Sequence, residues 1–226
     1  MEKRLIIAID GPAASGKSTT ARLLARRLGY VYLDTGAMYR ACALQLLRDG
    51  ISLEDLPAIE AMLKDLDIRV EISGEENRIL LGTEDVSQAI RANEISQLAS
   101  SVSALPAVRH RMVELQREMA SAGGFILDGR DIGTYVFPNA DLKIFLTAAP
   151  EIRAHRRWLE LKNKGVEKDL DAILAEIKER DHNDSSRSLA PLAVAEDAIV
   201  LDNSQLTIDQ QVESLHGLVL QTLEAK

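Results

Sequence analysis

Cysteine is nearly absent. Cys42 is the single one in 226 residues, so no disulfide can close within the chain and a reducing, cytoplasmic setting is expected. Histidine is almost as scarce, and His110, His155, His182 and His216 are scattered, without the short spacing of a zinc site. No apolar run approaches the roughly 20 residues of a membrane span. The opening MEKRLIIAIDG is basic and then apolar, but its apolar part is too short for a secretory leader. Excess positive charge is missing as well: 27 Lys+Arg against 35 Asp+Glu leave a net charge of -8. That balance argues against general binding to nucleic acid or to an anionic membrane, while leaving room for a local basic pocket around a small anion. There is no internal repeat or low-complexity segment. With 46% hydrophobic and 27% charged residues, the composition is that of an ordinary globular chain, long enough for one sizeable core and a small insertion.

The stretch that organises the rest is LIIAIDGPAASGKSTTARLLARRL, from Leu5 to Leu28. The unbroken apolar run Leu5 to Ile9 predicts a buried strand of a sheet covered on both faces, because a one-sided strand would alternate apolar with polar. Gly11, Gly16, Lys17 and Ser18 then match G-x-x-x-x-G-K-[ST]. In that pattern the glycines let backbone N–H groups close around phosphate oxygens, the lysine adds a cation, and the hydroxyl serves Mg²⁺. Ala21, Leu24, Ala25 and Leu28 recur at helical spacing, with Gly29 placed as a C-terminal cap. The predicted helix therefore points its positive end at the bound phosphates. Nucleotide phosphate binding is the expectation, against a plain glycine turn.

Further along, Tyr30 to Leu33 is a second short strand ending in Asp34, and Asp34-Thr35-Gly36 opens a helix containing Arg40. Strand ends of this kind expose side chains at the carboxyl edge of a parallel sheet, which makes Asp34, Thr35 and Arg40 site candidates by position. Ile68 to Ile72 alternates, Ser73 to Asn77 reads as a turn, and Arg78 to Gly82 returns, which predicts an antiparallel hairpin foreign to a βαβ core. The surrounding stretch is acidic, with eight Asp/Glu against four Lys/Arg between Lys64 and Ser100. Asn93 to Ala122 predicts two helices broken near Pro106, with Val108, Met112, Leu115 and Met119 as a core stripe. Phe125 to Leu127 is a third strand delivering Asp128 to the sheet edge, where Asp128 is either the partner of Ser18 for Mg²⁺ or a structural acid. Leu142 to Leu146 and Ile199 to Leu201 complete five strands. Helices are expected from Pro150, from Leu170 to Arg180, and from a capping box at Thr207 and Gln210. The polar stretch Asp181 to Arg187 is expected to be exposed, as a lid. Asn163-Lys164-Gly165 approaches the guanine-reading motif of GTP switches, but Val166 stands where that motif needs an acid.

Four segments together carry a family resemblance: GPAASGKST at Gly11 to Thr19, DTGAMYR at Asp34 to Arg40, DGRDIGT at Asp128 to Thr134 and EIKERDHNDSSR at Glu176 to Arg187. In this order the chain resembles the bacterial cytidylate kinases over nearly its whole length. The resemblance implies an α/β fold of the P-loop NTPase type, with a central five-stranded parallel sheet flanked by helices, a small inserted nucleoside monophosphate-binding domain and a helical lid. The corresponding boundaries are a core of 1–62, 102–150 and 188–226, an insert of 63–101 and a lid of 151–187.

The activity implied is transfer of the ATP γ-phosphoryl group to CMP or dCMP, giving CDP or dCDP and ADP. By the same resemblance, Gly11, Pro12, Ala13, Ala14, Ser15, Gly16, Lys17, Ser18 and Thr19 hold ATP. Thr35, Arg40 and Arg130 meet the CMP phosphate, Ser100, Arg109 and Asp131 read cytosine, and Asp184 holds the ribose. Arg187 and Arg180 reach the phosphates from the lid. Thr35 stands where the family has serine and keeps the hydroxyl; Ser101, next to Ser100, differs from it by one place in the register set by Leu105-Pro106. A monomer in the cytoplasm, acting on small nucleotides and on neither nucleic acid nor membrane, completes the expectation. The competing readings are a kinase for another small acceptor such as shikimate, a GTP-dependent switch, and a regulatory nucleotide-binding module.

Overall fold

The computed structural model describes residues 4–73 and 76–225. Residues 1–3, with the basic start read above, lie outside the described residues, as do Gly74 and Glu75 of the expected turn. The chain separates into two compact units, Met1–Tyr30 with Gly124–Lys226, and Val31–Gly123. These breaks differ from the finer expected boundaries, and the expected insert 63–101 falls inside the second unit.

The chain begins with strand β1 (Ile6–Asp10), in which Ile7, Ala8 and Ile9 are fully buried, as a doubly covered strand requires. Helix α1 (Lys17–Leu28) follows and packs Ala21, Leu24 and Ala25 inward. Gly29 ends it in a left-handed conformation, its N–H donating to the Arg26 carbonyl and that of Tyr30 to the Ala25 carbonyl, the Schellman closure.

The second unit opens with β2 (Val31–Asp34) and α2 (Thr35–Arg48), the Asp34 carboxylate capping the helix by accepting from the Ala37 N–H at 2.8 Å. Helix α3 (Leu56–Asp65) is capped in the same way by Asp55. Strands β3 (Ile68–Ser73) and β4 (Glu76–Leu81) pair antiparallel, Ile68 opposite Leu81 and Val70 opposite Ile79, so the expected hairpin forms. A short β5 (Glu84–Asp85) makes it a three-stranded sheet. Ile68 and Ile79 are buried while Arg69 and Glu71 are exposed, the alternation of a one-sided sheet. After a 3₁₀ turn at Ala89–Arg91 come α4 (Asn93–Val102) and α5 (Pro106–Ala120), divided at Pro106. Met38, Leu46, Ile59, Ile95 and Met112 are among the core of this unit.

The first unit resumes with β6 (Phe125–Gly129), a π-helical turn at Ile132–Val136, β7 (Leu142–Thr147), α6 (Pro150–Asn163), α7 (Leu170–Ser186), β8 (Ile199–Asp202) and α8 (Ile208–Glu224). The five-stranded sheet has the order β2-β6-β1-β7-β8. Strands β6, β1, β7 and β8 run parallel, Ile9 opposite Asp128 and Ile144, so the carboxyl ends of β1 and β6 stand side by side. The strand order places β1 in the middle, next to the point where connections leave in opposite directions, the usual ligand position of an open α/β sheet.

The stretch from Asp181 continues α7 through Ser186, with His182, Asn183, Ser185 and Ser186 exposed as expected, but Asp184 is buried. The face that buries Ile173 and Ile177 carries on one turn at a time as Asp181 and Asp184, each of which takes an arginine instead of an apolar neighbour. Thr207 and Gln210 do form the reciprocal capping box of α8.

Leu24 is fully buried in α1. Leu24→Ala is expected to lower the free energy of unfolding by about 2–5 kcal/mol, the cost of lost burial plus a cavity, read from urea denaturation; a loss under about 1 kcal/mol would place Leu24 outside the core.

Candidate active site

The loop between β1 and α1 is shaped by contacts that admit little variation. Gly11 has φ 147°, and a Cβ there would lie 2.1 Å from the Leu146 carbonyl oxygen of β7. Ala14 adopts φ 57°, an uncommon conformation for a residue with a side chain. Its neighbour Ala13 is held through its carbonyl by Arg153 Nη1 at 3.0 Å. The same buried guanidinium donates to the Ala148 carbonyl at 2.9 Å and pairs with Asp181 at 2.7 Å.

From below, Asn203 Nδ2 donates to the Ser15 carbonyl at 2.7 Å and to Gln211 Oε1 at 2.9 Å, and that oxygen also accepts from Thr20 Oγ1 at 2.9 Å. Arg156 fixes Asn203 in turn, through Oδ1 at 2.9 Å and the backbone carbonyl at 2.8 Å. Sequence reasoning missed this brace. Its only trace there was a polar Asn203 just beyond the last strand and a Gln211 on the inner face of the last helix.

Lys17 is 5% exposed and donates to the Pro12 carbonyl at 2.7 Å and Ser15 Oγ at 3.3 Å. Burial, then the nearby Arg130 charge, push its amine down to about 7. Ser18 Oγ donates to Asp128 Oδ2 at 2.7 Å, so the two residues expected at Mg²⁺ meet. Hydroxyl and carboxylate oxygens are the hard donors that suit Mg²⁺, which takes few protein ligands and fills its shell with water and phosphate oxygens. Among the described residues no group of three or more His, Cys, Asp or Glu could hold a metal by itself.

At the end of β6, Arg130 Nε donates to Asp184 Oδ2 at 2.6 Å. Arg187 pairs with Asp184 Oδ1 at 3.2 Å, and its Nε reaches the Asp184 carbonyl at the same distance. Burial opposes the Asp184 charge, but Arg130 and Arg187 together hold its carboxyl below the usual range. Arg180 is exposed and adds its positive charge to the field at both Asp184 and Lys17. Asp131 is buried one residue beyond Arg130. Asp10, which sequence reasoning passed over, accepts from the Ile132 N–H at 2.8 Å and the Gly133 N–H at 2.7 Å, and burial pushes its carboxyl up to about 6. The first unit thus gathers Lys17, Ser18, Asp128, Arg130, Asp131, Asp184 and Arg187 around strand ends and a helix N-terminus, an arrangement suited to a polyphosphate and a divalent cation.

The second unit holds the other candidates. Asp34 Oδ2 accepts from Arg40 Nη2 at 3.0 Å, and Thr35 is buried beside it at the start of α2. Arg109 is 1% exposed, its guanidinium 5.7 Å from the Tyr39 ring centroid and its Nη1 donating to the Ser103 carbonyl at 3.0 Å. Ser103 Oγ donates to the Ser100 carbonyl at 2.8 Å, which links Ser100 to the same cluster. Ser100 is half-buried, whereas Ser101 is exposed.

This geometry can be set beside known proteins. The family model for cytidylate kinase matches residues 7–221. A cytidylate kinase of Caldicellulosiruptor saccharolyticus is 51% identical over 213 residues, covering 94% of each chain. One from an Exiguobacterium species is 48% identical over 219 residues, covering 97% of this chain and 98% of that one. Among solved structures, the shikimate kinase from Bacteroides thetaiotaomicron superposes with a TM-score of 0.51 at 13% identity, over 96% of this chain and 99% of that one, a likeness of fold alone. The phosphate loop, the arginine-bearing strand end and a family match that spans nearly the whole length agree: this chain belongs to the cytidylate kinase family.

Proposed function

We propose that the protein transfers the γ-phosphoryl group of ATP to CMP or dCMP, producing CDP or dCDP and ADP. The observation that carries this reading is the grouping of Lys17, Arg130, Arg187 and the Ser18–Asp128 pair on one unit of a chain whose relatives are cytidylate kinases. An oxygen of the acceptor's 5′-phosphate attacks the γ-phosphorus while the bond to the β-bridging oxygen breaks and ADP departs. Such a transfer asks for alignment and charge neutralisation more than for covalent help from the protein.

Residues of the loop from Gly11 to Thr19 bind ATP. Lys17, which turns back onto Pro12 and Ser15, exchanges those contacts for phosphate oxygens. Ser18 and Asp128 would hold Mg²⁺, which when bound neutralises phosphate charge. Thr35, Arg40 and Arg130 bind the CMP phosphate, Asp184 the ribose, and Arg180 and Arg187 the transferred group, with residues 151–187 acting as the lid. Each charge-assisted contact is worth about 1.5–3 kcal/mol, so losing one costs about tenfold or more in rate. Ser100, Arg109 and Asp131 read the base. A buried carboxylate accepts from the exocyclic amine of cytosine but faces a carbonyl in uracil, and the unpaired acid penalises the wrong base. A cytoplasmic monomer belongs to the same reading: Cys42 is free and buried in α2, in keeping with a reducing compartment. No described helix is long and apolar enough to cross a membrane.

The test is a panel of CMP, dCMP, UMP, AMP, GMP and shikimate with Mg-ATP. Efficient turnover of CMP and dCMP is expected; efficient use of AMP, GMP or shikimate with no use of CMP would overturn the reading. In Asp131→Ala the ratio of kcat/KM for CMP over UMP should narrow by about tenfold, since the unpaired-acid penalty is gone; an unaltered ratio counts against its role at the base.

Lys17→Met should lower turnover at least about a hundredfold with the fold retained. Its amine titrates near 7 when folded against 10.5 unfolded, so above pH 7 the unfolded chain binds the extra proton. Wild type should therefore gain thermal stability relative to Lys17→Met as pH rises from 7 towards 10, and a pH-independent difference would contradict the depressed value.

A further inference from the structure

Strand β1 ends in a carboxylate, Asp10, that is only 5% exposed. A buried acid costs stability unless its oxygens are well partnered. Here both are spent on the backbone, Oδ1 on the Ile132 N–H at 2.8 Å and Oδ2 on the Gly133 N–H at 2.7 Å. Those residues open the π-helical turn that follows Arg130 and Asp131. On the other side, Gly129 pairs in register with Asp10 itself. The turn is closed by the Asp131 carbonyl, which accepts from the N–H groups of Tyr135 at 2.9 Å and Val136 at 3.1 Å. Gly133 presses in so closely that a Cβ there would stand 3.1 Å from the Lys143 side chain and 3.4 Å from Asp10 Oδ2. Arg130 and Asp131 are thus strung between two fixed points that share one residue.

We infer that Asp10 is a positioning residue for the acceptor nucleotide: without touching it, the carboxylate clamps the turn and so aims Arg130 at the phosphate and Asp131 at the base. This rests on the roles given to Arg130 and Asp131 above. The residue type follows from the geometry. Two N–H donors converge on one short side chain, and a carboxylate accepts both, whereas an asparagine of the same shape turns an N–H towards one of them. The charges that bear on the carboxylate are those of Asp131 and Lys17. The Lys143 amine, whose stem lies against Gly133, is taken by Asp197 at 2.8 Å and by the Pro138 carbonyl.

The experiment compares Asp10→Asn, Asp131→Ala and the double variant by kcat/KM for CMP and UMP, together with ATP affinity in the absence of acceptor. Asp10→Asn should lower kcat/KM for CMP by about tenfold or more and narrow the CMP-over-UMP ratio, with ATP affinity within about threefold of wild type. The double variant should narrow the ratio no further than Asp131→Ala alone, because the two act on one contact. Equal losses for CMP, UMP and ATP binding would mark Asp10 as general scaffolding and overturn the proposal, as would unchanged kinetics. A ratio that Asp131→Ala leaves intact defeats the base assignment. A ratio that Asp131→Ala collapses and Asp10→Asn does not defeats the positioning role alone. If Asp10→Asn fails to fold, Gly133→Ala, which crowds the turn and keeps the carboxylate, provides the same reading: a narrowed ratio supports the clamp and an unchanged one overturns it.

Discussion

The first unit has to keep several cations close together. Lys17 and Arg130 oppose one another strongly enough that Arg130 is the largest charge effect depressing the Lys17 amine. Like charges at short range in a low-dielectric setting repel by several kcal/mol unless counter-charges are interleaved. Asp128 and Asp10 both favour the Lys17 charge, and Asp184 neutralises Arg130 directly. The carboxylates therefore supply the counter-charge that lets these cations stand together. Much of the local architecture, from the buried strand ends to the helical course of α7, follows from having to hold those acids in place.

Most of the framework could be read from the chain. The apolar run of β1, the glycine-lysine-serine spacing and the capping residues Gly29, Thr207 and Gln210 act over a few residues, and local rules reach that far. The hairpin of β3 and β4 was visible because only one of its faces is buried. What escaped depends on partners distant in sequence. Asp181 and Asp184 look like solvated positions until Arg153 and Arg130 are seen opposite them, and only then does the helical face of Ile173 and Ile177 continue. Asn203 and Gln211 have no pattern of their own; their meaning lies in the Ser15 carbonyl they support. Asp10 was passed over, since nothing local announces that its oxygens will meet Ile132 and Gly133.

The candidate site divides in the same manner. Residues in the phosphate loop and at the strand exit were named from motif alone. The meeting of Ser18 with Asp128 was anticipated from their places in the chain, whereas the links of Arg130 to Asp184, and of Ser100 through Ser103 to Arg109, were not. In the second unit Arg109 shows how a fully buried cation is tolerated, with a carbonyl accepting from one nitrogen and an aromatic face beside the guanidinium.

The two glycines of the phosphate loop are constrained to different degrees and for different reasons. Gly16 has φ 91° but the nearest atoms to an added Cβ are at 3.6 Å and 3.7 Å, so a larger residue there meets a conformational penalty and not a collision. Gly11 meets both, because what blocks it at 2.1 Å is main chain of β7, with no rotamer able to step aside. Mutational drift is consequently closed at position 11 to every other amino acid, whereas at position 16 a side chain tolerating the left-handed region could persist in a weakened protein. Any attempt to recast this chain for a different acceptor has to leave the first of these places untouched.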